Sequence, residues 1–176
     1  IPMMEGCNAM PQQLDDLIFD RTAADVQRVK TLTGKLSAGT ATEEEKAEWL
    51  AGMKGAYNAA DLNRVGAAAV YLTERLYALG YTVPAVPKTD WQEGSFPTAS
   101  AMEQYIENIH LLRDCVPYAA PDAPGAAEKL TFQEANNIEE ILHTLERVLL
   151  AMQEGFKLRQ ADTLFMIAGG VFNNAG

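Results

Sequence analysis

The chain has 176 residues, 48% of them apolar, with 14 Lys and Arg against 24 Asp and Glu, a formal charge of −10. That is enough apolar sequence for one folded domain, and it excludes the disordered class. The acidic balance argues against nucleic-acid phosphates and anionic membrane surfaces as partners, since both call for a basic face.

The start, "IPMMEGCNAMPQQ", lacks the basic and apolar regions of a secretory signal. Nowhere is there a run of about eighteen apolar residues to cross a bilayer. Position 1 is Ile, which fits a chain processed or excised from something longer. Residues 1–15 read as an N-terminal extension, 16–153 as a helical domain, and 154–176 as a C-terminal segment or a link to further chain. Cys7 and Cys115 form no CxxC pair. Two free thiols are the simpler reading, and a disulfide stays open.

Five amphipathic helices follow in chain order. The first opens at Thr22, whose hydroxyl can accept from the first turn while Asp25 answers back. Val26, Val29, Leu32 and Leu36 give it an apolar stripe. The second opens on the capping pair Thr42 and Glu45, with Trp49, Leu50 and Met53 as its expected buried face. The third opens at Asn58 with Asp61, and Tyr57 and Leu62 stand at staple positions. Its stripe is Leu62, Val65, Ala69, Leu72, Leu76 and Leu79, and Gly80 ends it.

The connector "YTVPAVPKTDWQEGSFP" follows. Three prolines exclude a regular helix there. Its length without regular structure calls for a function or for packing, with Trp91 as an anchor. Thr98 caps a fourth helix striped by Met102, Tyr105, Ile106, Ile109 and Leu112. A second Pro-rich connector, "PYAAPDAPGAA", leads to a fourth capping pair, Thr131 and Glu134. Ile138, Ile141, Leu142, Leu145, Leu149 and Met152 line that last helix. The short apolar pieces Phe156–Arg159 and Thr163–Ala168 read as a candidate β-hairpin, with Asp16–Asp20 as an extended partner.

"TAADVQRV" at Thr22–Val29 and "NAADLNRV" at Asn58–Val65 lie 36 residues apart, and "TFQEANNI" begins 73 further on. A helical solenoid would give such spacings. The sequence between them does not match, so three independently capped helix starts are the better reading. Asn63 and Asn136 hold equivalent places in two of these starts. Asn is a mediocre helix former. The expected role is a structural polar clamp, with Asn63 and Asn136 bonding loop backbone and Arg64 reaching a carboxylate such as Asp61 or Asp90.

The residues alone do not identify an activity. His110 and His143 lie on different helices without a paired histidine, so no metal site is expected. There is no nucleophile elbow, P-loop or dinucleotide fingerprint, and "TATEEEKAE" lacks the alternating ligands of a calcium loop. No cofactor and no enzymatic activity are expected. The Trp and Tyr residues read mainly as packing, with Trp91 and Tyr81 as a candidate contact surface that could alternatively meet a glycan.

The stretches "LIFDRTAADVQRVK", "AYNAADLNRV", "PKTDW" and "LTFQEANNIEEIL" together give a resemblance over about Asp16–Met152. The chain resembles a helical domain of proteins encoded in tail modules of phages and prophages of gut Firmicutes. The resemblance implies a non-enzymatic virion protein of a tail, baseplate or fibre, made in the bacterial cytoplasm. Its implied partners are further copies of itself and neighbouring tail proteins. It carries over no catalytic residue. The alternative is a module binding host-surface glycan or cell-wall material.

Overall fold

The structure, a computed structural model, describes residues 14–94, 97–125 and 130–170, with side chains to residue 160. It is a mainly-α bundle. Its described helices are α1 (Ala23–Ser37), α2 (Glu43–Ala51), α3 (Ala59–Ala78), α4 (Ala99–Asp114) and α5 (Phe132–Gly170). No strand occurs among the described residues.

Helix starts follow local chemistry. Thr22 with Asp25, Thr42 with Glu45, and Asn58 with Asp61 form reciprocal capping boxes. Thr131 and Glu134 make the same exchange at α5. Thr98 accepts from the amide of Ala101 at α4. Each cap satisfies first-turn amides that the helix itself cannot, typically contributing about 1 kcal/mol.

Helices α3, α4 and α5 pack on one another and enclose the core. Leu72, Leu76, Ile138, Ile141, Leu142, Leu145 and Leu149 are completely buried there. Each such side chain contributes roughly 1.5–3 kcal/mol of transfer free energy. Leu14 and Leu17, from the segment before α1, join the same core.

The three core helices run parallel. Arg64 meets Glu139, Tyr71 meets Glu146, and Arg75 meets Gln153, so α3 and α5 advance together. Parallel neighbours need connections that travel back the length of a helix. That is the role of the two Pro-rich connectors. Going from Val86 to Trp91, the first connector passes Asn108 then Tyr105 on α4, and Gly66 then Asn63 on α3. From Ala120 to Pro124 the second passes Arg113 then His110. Both run antiparallel to the helices beneath them. The segment before α1 does the same on α5, with Ile18 at Glu139 and Arg21 at Asn136. Asp16–Asp20 is therefore tied to a helix and not to a sheet.

Helices α1 and α2 form a separate antiparallel hairpin. Leu32 is its one fully buried apolar side chain, and Arg28–Glu48 and Lys35–Glu45 pairs join the two helices. Gly55, in the α2–α3 link, lets that link lie against the first turn of α1, because a Cβ there would lie 2.3 Å from the Asp25 carbonyl carbon. The expected buried face of α2 is overturned. Trp49 is 39% and Leu50 84% exposed, and the buried residue of α2 is Glu45. The helix docks through charge on one side, which turns its apolar residues outward.

A second expectation also changes. The segments read as a C-terminal hairpin lie within α5, which continues to Gly170. Nothing between Phe132 and Gly170 breaks a helix: there is no proline, and Gly155 costs only about 1 kcal/mol relative to Ala. Short apolar runs do not distinguish strand from helix by period alone.

Candidate functional site

Three asparagines hold the extended segments on the bundle. Asn63 Nδ2 donates to the Trp91 carbonyl at 2.9 Å, and the Trp91 amide donates to Asn63 Oδ1 at 2.8 Å. Asn108 makes the same pair of bonds with Val86, at 3.0 and 2.9 Å. Asn136 makes them with Arg21, at 2.9 and 3.0 Å. One amide side chain thus replaces a sheet partner for one residue of extended backbone. The close approach at α3 requires Gly66, since a Cβ there would sit 2.2 Å from the Lys88 carbonyl oxygen.

Beside the Asn136 clamp lies a buried ion cluster. Arg21 Nη2 donates to Asp61 Oδ1 at 3.0 Å and to Glu139 Oε1 at 2.7 Å. Arg64 donates to both acids as well, through Nη2 to Asp61 and through Nε and Nη2 to Glu139. Glu139 is wholly buried and also accepts from the Ile18 amide at 2.7 Å. Two cations face two anions, so the cluster is neutral and its lone pairs are filled. Arg21 Nε donates to the Lys54 carbonyl at 3.1 Å, and its guanidinium stacks 5.2 Å over the Tyr57 ring. One cluster therefore ties the N-terminal segment, the α2–α3 link, α3 and α5 together.

The groups most able to start covalent chemistry are engaged structurally. His110 Nε2 donates to the Pro124 carbonyl at 2.9 Å. The Cys115 thiol donates to Leu112, and burial pushes its pKa up, away from the nucleophilic thiolate. Tyr57 and Tyr105 share a 2.6 Å hydroxyl contact, and burial raises both well above the ordinary phenol value. No cluster of three or more metal-ligating side chains occurs among the described residues.

An apolar groove of about 590 Å³ lies at the head of the bundle. Trp49, Leu50 and Met53 of the α2 end form one wall. Leu62 of α3 and Trp91 of the connector form the other. Leu50 stands out from the rim at 84% exposure.

The residues singled out in the sequence divide between these features. Asn63, Arg64 and Asn136 all hold polar contacts at the head end, with Arg64 on Asp61 and Glu139, while Asp90 pairs with Lys88. Trp91 and Tyr81 do not share a surface. Trp91 is 8% exposed, packed edge-on against Tyr105 and covered by Lys88. Tyr81 borders a different hollow beside His110 and Cys115. The exposed ring of the groove is Trp49. Arg21, Asn108, Gly66 and Glu139 were not anticipated. Glu139 and Glu146 had a legible signal, because they interrupt the four-three series Ala135, Glu139, Leu142, Glu146, Leu149 of a buried stripe.

Compared with protein-family models, with curated proteins and with solved structures, the chain matches none.

Proposed function

We propose that this chain is a non-enzymatic structural module of a phage or prophage tail or baseplate, acting through contacts with itself and with neighbouring tail proteins. The sequence resemblance supports the setting. The observation that carries the contact role is the groove at the head of the bundle, whose rim residue Leu50 is 84% exposed. A short helix that docks by charge and turns Trp49 and Leu50 outward presents apolar area suited to a protein partner. The rigid core, with its clamps and its filled ion cluster, fixes one wall of that groove. Light scattering on the chain, together with capture assays against the products of adjacent genes, tests the reading. Association or specific capture is the expected result. A strict monomer that captures none of them would oppose it.

The alternative, a glycan- or cell-wall-binding module, now rests on Trp49 and not on Trp91. Trp49 is a half-open indole beside the Asn58 and Gln92 amides of the groove, a combination that sugar rings use. A cell-wall pull-down lost in Trp49→Ala, with helicity intact, would favour it.

A further inference from the structure

The chain folds as two separately braced pieces. The main core takes side chains from α3, α4, α5 and the segments laid on them, and none from α1 or α2 among the described residues. Leu32, although wholly buried, lies outside that core. The α1–α2 hairpin is braced within itself instead. Arg28 reaches Glu48 at 2.6 Å and Glu45 at 3.7 Å, and Lys35 pairs with Glu45.

The two pieces are joined at one corner. The chain enters the hairpin at Arg21–Thr22 and leaves it through Lys54–Asn58, and these two tethers are stitched together. Arg21 Nε donates to the Lys54 carbonyl at 3.1 Å, Lys54 Nζ pairs with Asp20 at 2.6 Å, and Gly55 lies against Asp25. Among the described residues, no hydrogen bond or ion pair runs from 23–53 to α3, α4, α5 or their connectors. A hollow opens on each side of the corner. One is the head groove of about 590 Å³, between the α2 end and α3 with its connector. The other, of about 540 Å³, is bounded by Val26 and Lys30 of α1 and by Phe132 and Gln133 of α5. Tyr57 lines both, and it is held to the core by its hydroxyl contact with Tyr105. Units that meet across a small, open interface move relative to one another by default.

We infer that the α1–α2 hairpin rocks as a rigid unit on its two tethers and so sets the width of the head groove. Arg21 is the pivot. Its backbone is fixed to Asn136 and its side chain to Asp61 and Glu139, so its bond to Lys54 holds the second tether beside the first. A few residues at element ends absorb the rotation of such a hinge. Trp49 and Leu50 ride on the hairpin, while Leu62 and Trp91 stay with the core, so the two apolar walls of the groove approach and separate. The far end of α1, at Ser37, lies about 22 Å from the pivot, 15 residues at about 1.5 Å each. The swing is largest there. The motion belongs to the single chain and goes beyond the contact role proposed above, because it does not depend on what the groove receives.

Distance distributions between pairs of spin labels test it. The sites are Ser37→Cys and Ala51→Cys on the hairpin, Gln92→Cys on the first connector and Glu140→Cys on α5, all exposed. Cys7→Ser and Cys115→Ser remove the other thiols. The labelled chain is diluted into unlabelled chain, so that only distances within one molecule are read. Substitutions at exposed positions should keep wild-type helicity by circular dichroism. The pairs Ser37 with Gln92 and Ser37 with Glu140 span the tethers. Ser37 with Ala51 is the control inside the hairpin, and Gln92 with Glu140 is the control outside it. At least one spanning pair should give a distribution at least about twice as broad as either control, as a hinge between rigid bodies requires. Spanning pairs as narrow as the controls overturn the inference, because the hairpin is then fixed to the core. A pair inside the hairpin as broad as the spanning pairs also overturns it, because α1 and α2 then separate by local unfolding and do not rock together. Neither result bears on whether the chain associates with itself or with tail proteins, so the assembly reading is tested separately.

Discussion

Arg21 and Glu139, 118 residues apart in sequence, meet at 2.7 Å with side chains 2% and 0% exposed. Burying such a pair is not in itself a large source of stability, because both ions give up water. Breaking it is costly. Glu139→Gln removes one anion and leaves Arg21, Arg64 and Asp61 with a net positive charge in a dry site. The expected loss is about 3–5 kcal/mol, the range for a buried charge without compensation. Urea unfolding of the variant measures it, and a loss under about 1 kcal/mol would show that water reaches the cluster.

The asparagine clamps make a separate expectation. In Asn63→Ala, the Trp91 amide and carbonyl lose their partners together. An unsatisfied buried backbone group costs about 1–3 kcal/mol, so the variant should unfold at lower urea by that much. Asn108→Ala should behave alike, through Val86. Asn63→Asp should not rescue, because a carboxylate keeps the acceptor and loses the donor to the Trp91 carbonyl. Equal stability of Asn63→Asp and wild type would rule out the two-bond clamp.

Gly66→Ala separates helix propensity from packing. Alanine inside a helix is favoured over glycine by about 1 kcal/mol. At this position, however, the added Cβ would meet the Lys88 carbonyl oxygen at 2.2 Å. Backbone cannot yield there without lifting the connector from α3. The net change should be a destabilisation of about 1–3 kcal/mol, as for other overpacked sites. Gly34, with nothing near its Cβ direction, is the control, and Gly34→Ala should be neutral or stabilising.

Acid should destabilise the fold through the helix starts. The Thr22 hydrogen bonds hold Asp25 below its ordinary carboxyl value, the Lys35 bond does so for Glu45, and the Thr131 amide does so for Glu134. For a depressed folded pKa, the contribution is complete above the unfolded values of 3.8–4.5 and disappears as pH falls through the folded ones. At the other extreme, burial raises Tyr57 and Tyr105 above 10. Their contribution is complete below that unfolded value and is lost as pH rises beyond it. Burial raises the Cys115 thiol in the same way, from an ordinary value of 9.0, so melting temperature should be flat from about pH 5 to pH 9 and fall on both sides. Glu45→Gln and Glu134→Gln should each make the acid limb shallower.

Much of this fold was readable because it is local. The caps at Thr22, Thr42, Asn58, Thr98 and Thr131, and the stripes of α3, α4 and α5, depend on residues within one or two turns. The clamp role of Asn63 and Asn136 was readable for a related reason: a poor helix former at an interior position needs a partner off the helix. Which partner it takes depends on the parallel order of α3, α4 and α5. That order is set by where the connectors can lie, information spread over Gly66, Lys88 and Asn108. The partners of Glu139 were not readable, because they sit 118 and 75 residues away. Trp49 and Leu50 looked buried because apolar residues on a helix usually face a core. Here the ion pairs Arg28–Glu48 and Lys35–Glu45 decide which face of α2 docks.

The end of the core can be located by truncation. Among the described side chains, the last of α5 packed against the core is Met152, and those of residues 157–160 are exposed. A chain ending after Glu154 should therefore keep the cooperative unfolding of the parent, with a change in unfolding free energy under about 1 kcal/mol. Its far-UV helical signal should fall by the contribution of the lost α5 residues. Retention of cooperativity with a smaller helical signal would place 155–170 outside the folding unit. A collapse of stability would instead mean that residues 155–170 belong to the folding unit.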